Sequence, residues 1–479
     1  MNSRKVYHAL HYTSVQDLTN GSLTGHLLKT TSFMLVSMVF QTLYVLIDLY
    51  WVGRLGTDAV AAVGLSGNLM FIVLAATQML GVGTTTLVAH ATGGRDHARA
   101  NLVFNQSQVL SLVVGGIFFA LAMATRRIYA ASLSADAETQ RLAAEYLLWF
   151  IPALALQFGL IAMASALRGS GNFRPGMVVQ TATVILNIVL APVLIFGWGT
   201  GVALGVAGAA LSTLVAIAIG VVWMVFYFLP ADSYLRFSFR EWTPRFDLWR
   251  DMLKIGLPAG AEFAFMAVYL MLVYVVSRPF GAAAQAGFGI GMRIIQACFL
   301  PVVALGFAVS PVAGQNFGAR KADRVRETFR TGASLAAAAM FGLAVIVWLA
   351  AGPMVGVFSS DPQVIAVGAE YLHIIAFNFV FSGVVFVSSS MFQAMGNTIP
   401  SLITSAARIV IIAVPVLLLA QAPGFSLRWI WYISAGAVVV QLAMNLWMLQ
   451  REFRLRLNFV TAAPPHSASS PESAPVLSS

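Results

Sequence analysis

The chain has 479 residues, of which 59% are hydrophobic and only 10% are charged, and its mean hydropathy is +0.82. A soluble globular protein carries roughly 25% charged residues, so this composition excludes a water-soluble domain and a disordered chain. The net charge of +10 does not indicate a nucleic-acid partner, because the basic residues lie between apolar runs and form no basic face. A single cysteine, Cys298, excludes an internal disulfide framework.

Twelve apolar runs follow one another along the chain, and each approaches or exceeds the roughly 20 residues that a helix needs to cross a bilayer. They are far longer than the roughly 10-residue alternating strands of a membrane barrel, so we predict an all-α polytopic membrane protein. No cleavable signal peptide precedes the first run. The predicted spans lie at about 31–53, 65–89, 103–124, 143–166, 176–199, 204–229, 252–277, 286–312, 329–351, 368–395, 400–421 and 428–450.

The basic residues predict the orientation of these spans. With the N-terminus placed inside, the inner segments hold 20 Lys and Arg residues and the outer segments hold 7. Cytoplasmic loops carry an excess of basic residues, so we expect both termini in the cytoplasm. The preference for arginine over lysine and the lack of a targeting segment favour the bacterial inner membrane.

The two halves of the sequence repeat each other at a fixed offset of 225 residues. The offset pairs polar and glycine residues as well as apolar ones, including Gly56 with Gly281 and Arg95 with Arg320. Six spans per half give both halves the same direction, so we expect two six-helix lobes related by a pseudo-two-fold axis along the membrane normal. The predicted segments are 1–30 (cytoplasmic N-terminal segment), 31–229 (N-lobe), 230–251 (cytoplasmic linker), 252–450 (C-lobe) and 451–479 (disordered cytoplasmic tail).

Two carboxylates, Asp48 and Glu262, lie well inside apolar spans. A charge at the centre of a spanning helix costs at least roughly 2.5 kcal/mol, so such an acid usually faces a cavity or a partner. Each is either a site for a proton, a sodium ion or a cationic substrate, or a buried acid that is hydrogen-bonded for packing. Glu262 lies four residues after Pro258, near the inner end of its span. Packing therefore explains Glu262 more readily than it explains Asp48.

Neutral polar side chains accompany these acids. Gln41, Tyr44 and Asp48 are spaced three and four residues apart and share one face of the first helix. A polar stripe on a spanning helix faces protein or water, although each single residue serves packing as well as it serves a ligand. Arg408, inside the eleventh span, either pairs with an acid or reaches the membrane surface. The candidates for a substrate cleft are Gln41, Tyr44, Gln78, Gln157, Gln180, Asn378 and Arg408.

Several motifs resemble the multidrug and toxic compound extrusion (MATE) family of cation-coupled antiporters. They include the stretch from Gln41 to Asp48, the glycines Gly53, Gly56 and Gly64, and the runs 167–172 and 314–318. The resemblance covers about residues 25–450. It implies two six-helix lobes in a V that export organic cations against H⁺ or Na⁺, without a cofactor. We expect a monomer.

The resemblance also implies roles for particular residues. Asp48 matches the family's first-helix aspartate, and Asn187 matches the fifth-helix asparagine beside the ion site. Glu262 lies about one turn closer to the proline than the seventh-helix glutamate of relatives that have a C-lobe site. Ala191 replaces a second aspartate that many relatives carry, and Gly383 replaces a tenth-helix aspartate. With a single acid near Asn187 we favour protons, and Na⁺ held near Asp48 and Asn187 stays open.

Two other functions compete with drug export. An enzyme or an ATP-driven pump lacks its parts, since the chain has no P-loop, His-Glu-x-x-His or Gly-x-Ser-x-Gly motif. A lipid-linked saccharide flippase of the same superfamily is the alternative within transport. Such flippases often carry several basic residues in the central cavity, whereas Arg408 is the only clear intramembrane cation here.

Overall fold

The computed structural model describes residues 16–199, 201–230 and 233–459. Every regular element in these ranges is a helix. Eleven helices are long and apolar enough to cross a membrane, and two further helices, bent by 58° at their junction, together form a twelfth span. The twelve predicted spans are therefore confirmed. We number them 1 to 12: Leu23–Gly53, Thr57–Gly93, His97–Leu133, Ala137–Gly169, Arg174–Phe196, Gly205–Phe228, Phe246–Phe280, Ala282–Gly318, Ala322–Gly356, Pro362–Ala376 with Phe379–Ala394, Ile399–Leu419 and Leu427–Arg456.

Most helices extend past the apolar runs that predicted them. Span 1 begins at Leu23, where the Ser22 hydroxyl accepts a hydrogen bond from the backbone N–H of Gly25. Span 7 begins at Phe246 and span 12 continues to Arg456, six residues beyond the predicted edges at 252 and 450. Hydrophobic length reports only the hydrocarbon core, and a helix continues through the headgroup region wherever it is capped or packed. Residues 1–15 and 460–479 of the predicted terminal segments lie outside the described residues.

Two separate hydrophobic cores form the centres of the N-lobe (spans 1–6) and the C-lobe (spans 7–12). In the N-lobe the Phe104 and Phe228 rings stack with centroids 4.5 Å apart. In the C-lobe the Phe288 ring stacks on Trp431 at 5.4 Å. All four side chains are fully buried, so each lobe has its own packed interior.

The backbone repeats the internal symmetry of the sequence. Arg95 and Arg320 have φ angles of 58° and 57° and are the two non-glycine residues with positive φ in the described ranges. The left-handed conformation costs an L-residue roughly 1–2 kcal/mol. Two such residues, separated by the 225-residue offset at the ends of spans 2 and 8, show that both lobes have the same local fold.

The lobes exchange the first turns of their first helices. Leu23 and Leu27 at the start of span 1 lie in the hydrophobic core of the C-lobe. Their repeat mates, Leu248 and Met252 at the start of span 7, lie in the core of the N-lobe. Spans 1 and 7 therefore each belong to both lobes, and they connect them mechanically.

Candidate functional site

Asp48 is half-buried in the N-lobe and lacks a complete set of hydrogen-bond partners. One carboxylate oxygen, Oδ1, is buried and has no hydrogen-bond partner among the described residues. The hydroxyls of Tyr44 and Tyr146 are close enough to interact with it electrostatically, and Tyr146 is itself bonded to the Ser66 side chain. A buried unpaired carboxylate is unfavourable unless it binds a proton or a cation.

A hydroxyl from span 6 links spans 1 and 5 beside Asp48. The Oγ1 of Thr213 lies 3.1 Å from the Tyr44 hydroxyl and accepts a hydrogen bond of 3.1 Å from the side-chain amide of Asn187. The same amide donates to Ser212 Oγ at 3.3 Å. Thr213 thus connects two predicted residues, Tyr44 and Asn187. Of these, Tyr44 lies on the same helix as Asp48.

Sequence reasoning missed Ser212, Thr213 and Tyr146. Ser212 and Thr213 are the only hydroxyl-bearing aliphatic side chains in the apolar run of span 6, and that isolated pair was a usable signal. Tyr146 lies in the repeated run Ala-Glu-Tyr-Leu, whose second copy contains Tyr371. Its proximity to Asp48 depends on the tertiary packing of the N-lobe helices, which the sequence does not reveal.

Four other cleft candidates are not joined to Asp48 by any hydrogen bond found within the described ranges. Gln41 and Gln157 are half-buried on spans 1 and 4. Gln180 is half-buried on span 5, where its backbone carbonyl accepts from Thr183. Asn378 is buried at the bend of span 10. Their role in a cleft stays a prediction.

Glu262 and Arg408 belong to a polar network inside the C-lobe. The Ser401 hydroxyl donates to Glu262 and lies 2.7 Å from the Ser389 hydroxyl. Arg408 interacts electrostatically with Glu262, and its Nη1 donates to Gln441 Oε1 at 3.4 Å. Arg408 is half-buried in the C-lobe, and among the described residues no ion pair joins it to Glu262, so its pairing with an acid stays a prediction. Glu262 therefore accepts a hydrogen bond from a hydroxyl group, whereas the buried oxygen of Asp48 has no such donor among the described residues.

The helix that carries Glu262 is longer than its predicted span. It begins at Phe246 and ends at Ser277, so Glu262 lies near the middle of the helix, while its depth in the membrane stays a prediction. The predicted span begins at about residue 252, because the charged residues Arg250 and Asp251 come directly before it and Lys254 lies in its first turn. These charged residues are part of the helix and lie where it leaves the apolar layer.

A second arginine, Arg168, is half-buried at the interface between the lobes. Span 4 continues to Gly169, and Arg168 in its last turn donates from Nη2 to Ser165 Oγ at 2.6 Å. Its guanidinium lies 5.8 Å from the centre of the Phe307 ring in the other lobe. Gln78 lines the same small cavity between the lobes. Gln78 therefore lies at the lobe interface.

A reciprocal pair of hydrogen bonds connects the lobes at the end predicted to be cytoplasmic. The Nε2 atom of His90 lies 2.6 Å from the carbonyl oxygen of Ala394, and Gln315 Nε2 donates to the carbonyl of Gly169 at 3.0 Å. His90 and Gln315 are repeat mates, and so are Gly169 and Ala394. We call these two bonds the interlobe latch.

Two glycines allow spans 2 and 8 to cross beside the latch. A Cβ atom on Gly93 would collide with the Gln315 carbonyl, and a Cβ on Gly318 would collide with the His90 carbonyl. Both glycines are repeat mates, so the pseudo-two-fold axis passes through this crossing. The N-terminal segment covers it, since Leu18 N–H donates to Gln315 Oε1 at 3.0 Å.

The MatE family model matches residues 34–193 and 258–419, which is more than half of the chain and most of both lobes. The chain belongs to the MatE family. MatE proteins are transporters and not enzymes, which agrees with the expectation from the sequence.

Relatives include the multidrug export protein MepA of Staphylococcus haemolyticus, 28% identical over 369 residues that cover 76% of this chain and 80% of MepA. The probable multidrug resistance protein NorM of Thermotoga maritima is 27% identical over 370 residues, covering 76% and 78%.

Solved structures of MATE proteins share the fold. One, described as the outward-facing conformation of a multidrug resistance MATE family transporter, superposes with a TM-score of 0.85 at 24% identity and covers 92% of this chain and 98% of its own. A MOP superfamily transporter from Pyrococcus furiosus superposes with a TM-score of 0.83 at 24% identity, covering 91% and 97%. Its description reports a binding pocket of reverse polarity. The shared fold alone therefore leaves the substrate of a MatE protein open.

Proposed function

We propose that this MatE protein exports small organic cations in exchange for protons and that Asp48 is the coupling acid. The observation that carries the proposal is the buried Asp48 oxygen without a partner, in contrast to the satisfied Glu262. The relatives named as multidrug exporters support a drug-like substrate. We further propose a monomer in the bacterial inner membrane with both termini in the cytoplasm.

The proposed cycle uses one charge for two ligands. Ionised Asp48 attracts a cationic drug, and a proton from outside neutralises Asp48 and weakens that attraction, so the drug leaves. Sodium is the alternative ion, because oxygen ligands suit a hard cation and Tyr44, Thr213 and Asn187 bring oxygen atoms near Asp48. Ala191 adds no second acid beside Asn187, so we favour the proton.

The available energy suffices for this exchange. One elementary charge that moves inward at 100 mV supplies roughly 2.3 kcal/mol. That energy sustains about a fiftyfold gradient of a neutral drug. Exchange of a monovalent cation for one proton is electroneutral, so the pH difference alone drives it.

The energy of the interlobe latch is low enough to allow a rocking motion of the lobes. An intramolecular hydrogen bond contributes a net stabilisation of about 0.5–1.5 kcal/mol. Breaking the two latch bonds therefore costs about 2 kcal/mol, which is comparable to the energy of the transported charge. We propose that the lobes separate at this crossing when the transporter opens inward.

Transport by the purified protein in liposomes tests the proposal. We expect an imposed pH gradient to drive the efflux of ethidium or a fluoroquinolone, and a sodium gradient at constant pH to drive none. Efflux driven by a sodium gradient alone would show that Na⁺, and not the proton, is the coupling ion. If neither gradient moves either compound while the protein stays folded, drug antiport is not its function.

A lipid-linked saccharide flippase is the second candidate. The observation that favours it is a second arginine, Arg168, half-buried at the interface between the lobes. The two arginines are engaged in different places, Arg168 with Ser165 and Phe307 and Arg408 with Gln441. They do not converge on a common pyrophosphate site, so we rank this function below drug export.

Glu262 is expected to matter less than Asp48. Glu262→Gln should retain at least about half of the wild-type efflux, because the side-chain oxygen still accepts the Ser401 hydrogen bond and Gln441 still holds Arg408. Initial rates of ethidium efflux in liposomes measure the effect, with Asp48→Asn as the comparison. A loss equal to that of Asp48→Asn would place an essential ion site in the C-lobe.

A further inference from the structure

The linker between the lobes is held firmly against span 3. The side-chain oxygen of Asn105 accepts hydrogen bonds from the Ser238 N–H at 2.9 Å and from Trp242 Nε1 at 3.0 Å. The side-chain oxygen of Gln106 accepts from the Arg245 N–H at 3.0 Å. Two adjacent polar residues of one helix therefore fix the path of the linker, and with it the direction of its exposed side chains.

The outward side of the linker is aromatic and basic. Phe239 is 81% exposed, and the side chains of Arg240 and Arg245 are also exposed. The one acid in this stretch, Glu241, points inward, where its carboxylate accepts from the Asn101 and Asn105 amides at 2.9 and 3.0 Å. Its charge is thus turned away from the arginines on the surface.

The same surface continues along span 7. A helix turns by about 100° per residue, so Phe246, Arg250, Leu257 and Met271 share one face. Phe246, Leu257 and Met271 are 73%, 55% and 70% exposed. The acidic side chains nearby, Asp247 and Asp251, together with Lys254, lie on the neighbouring face of the helix. This stripe joins apolar residues of the membrane layer to an aromatic residue and an arginine at the helix start.

The stripe points away from both lobes. Gly256 lies against the Met79 backbone of span 2, and Tyr269 lies within 3.4 Å of Ser434 in span 12. These two directions are roughly 100° and 120° away from Leu257 around the helix. Leu257 and Met271 therefore lie on the exposed face of span 7, where we expect lipid, and Phe246 and Arg250 lie on the same face at the predicted cytoplasmic end.

We propose that Phe239, Arg240, Arg245, Phe246 and Arg250 form a binding surface for anionic phospholipids of the cytoplasmic leaflet. We call it the linker surface. The arginines match phosphate geometry with paired N–H donors, and the aromatic rings insert at the level of the headgroups. The rigid attachment to span 3 keeps these groups in place before a lipid arrives, which reduces the entropic cost of binding.

Native mass spectrometry of the full chain in detergent tests the proposal, with added phosphatidylglycerol or phosphatidylcholine of identical acyl chains. The variant R240Q/R245Q/R250Q should lose phosphatidylglycerol affinity by about fivefold for each arginine removed. The matched control R330Q/R451Q/R454Q removes three exposed arginines that lie outside the linker surface, at the same end of the predicted topology, and should bind as the wild type does. Circular dichroism verifies the fold of each variant.

Two outcomes would overturn the linker surface. One is equal loss of phosphatidylglycerol from both triple variants, which would mean that only total charge matters. The other is wild-type retention by R240Q/R245Q/R250Q. A second variant, F239S/F246S, keeps every charge and should also bind phosphatidylglycerol less tightly, and undiminished binding would exclude the aromatic contribution. None of these readouts depends on drug transport.

Discussion

Asp48→Asn is expected to abolish the coupling of a pH gradient to drug efflux, reducing the rate to that of protein-free liposomes. The variant keeps the size and the hydrogen-bonding capacity of the side chain but removes the charge that a proton and a cation share. Drug-induced proton release and efflux are measured on the same vesicles. In the wild type, binding of a cationic drug should weaken as the pH falls, because a proton neutralises Asp48, whereas binding to the variant should not depend on Asp48 titration.

Asp58→Asn is the matched control for this variant. Asp58 is an exposed aspartate at the start of span 2 in the same lobe, and its replacement removes the same charge from the protein. We expect wild-type coupling from it. If Asp48→Asn couples a pH gradient to drug movement at the wild-type rate, Asp48 has a structural role and the proposed mechanism is wrong.

Gly93→Val is expected to shift the lobes apart at the crossing of spans 2 and 8 and to reduce efflux at least tenfold. The new side chain occupies the space of the Gln315 carbonyl in the other lobe. Overpacking of this kind costs typically 1–3 kcal/mol, which changes a two-state equilibrium by roughly 5- to 150-fold. The variant should therefore disfavour the closed crossing without altering Asp48.

Pulsed electron paramagnetic resonance measures this shift directly. Nitroxide labels at Ala98 and Asp323, exposed repeat mates at the starts of spans 3 and 9, report the interlobe distance in a Cys298→Ala background. Gly116→Val is the control, because no atom lies within 4 Å of a Cβ added there. We expect longer distances for Gly93→Val and an unchanged distribution for Gly116→Val. Unchanged distances for both variants would show that the crossing accommodates the larger side chain without separating, which would contradict the prediction.

The resemblance and the polar pattern predicted part of the site. Asp48 and Tyr44 stood out because polar side chains are rare on a spanning helix and three- and four-residue spacing places them on one face. Asn187 followed from the family resemblance. Thr213, which joins Tyr44 to Asn187, was not predicted, because a hydroxyl in an apolar run does not indicate which helix it will contact.

The sequence by itself determined the twelve spans, the two-fold repeat and the presence of an unusual acid at residue 48. These properties are local: the length of an apolar run sets a span, and the 225-residue register sets the repeat. Only the tertiary structure decided that spans 1 and 7 pack their first turns in opposite lobes. It also decided that Arg168 lies against the Phe307 ring and that Glu262 accepts a hydrogen bond from Ser401. The reason is that such contacts depend on the direction in which each helix crosses its neighbours, and hydrophobicity along the chain does not specify that direction.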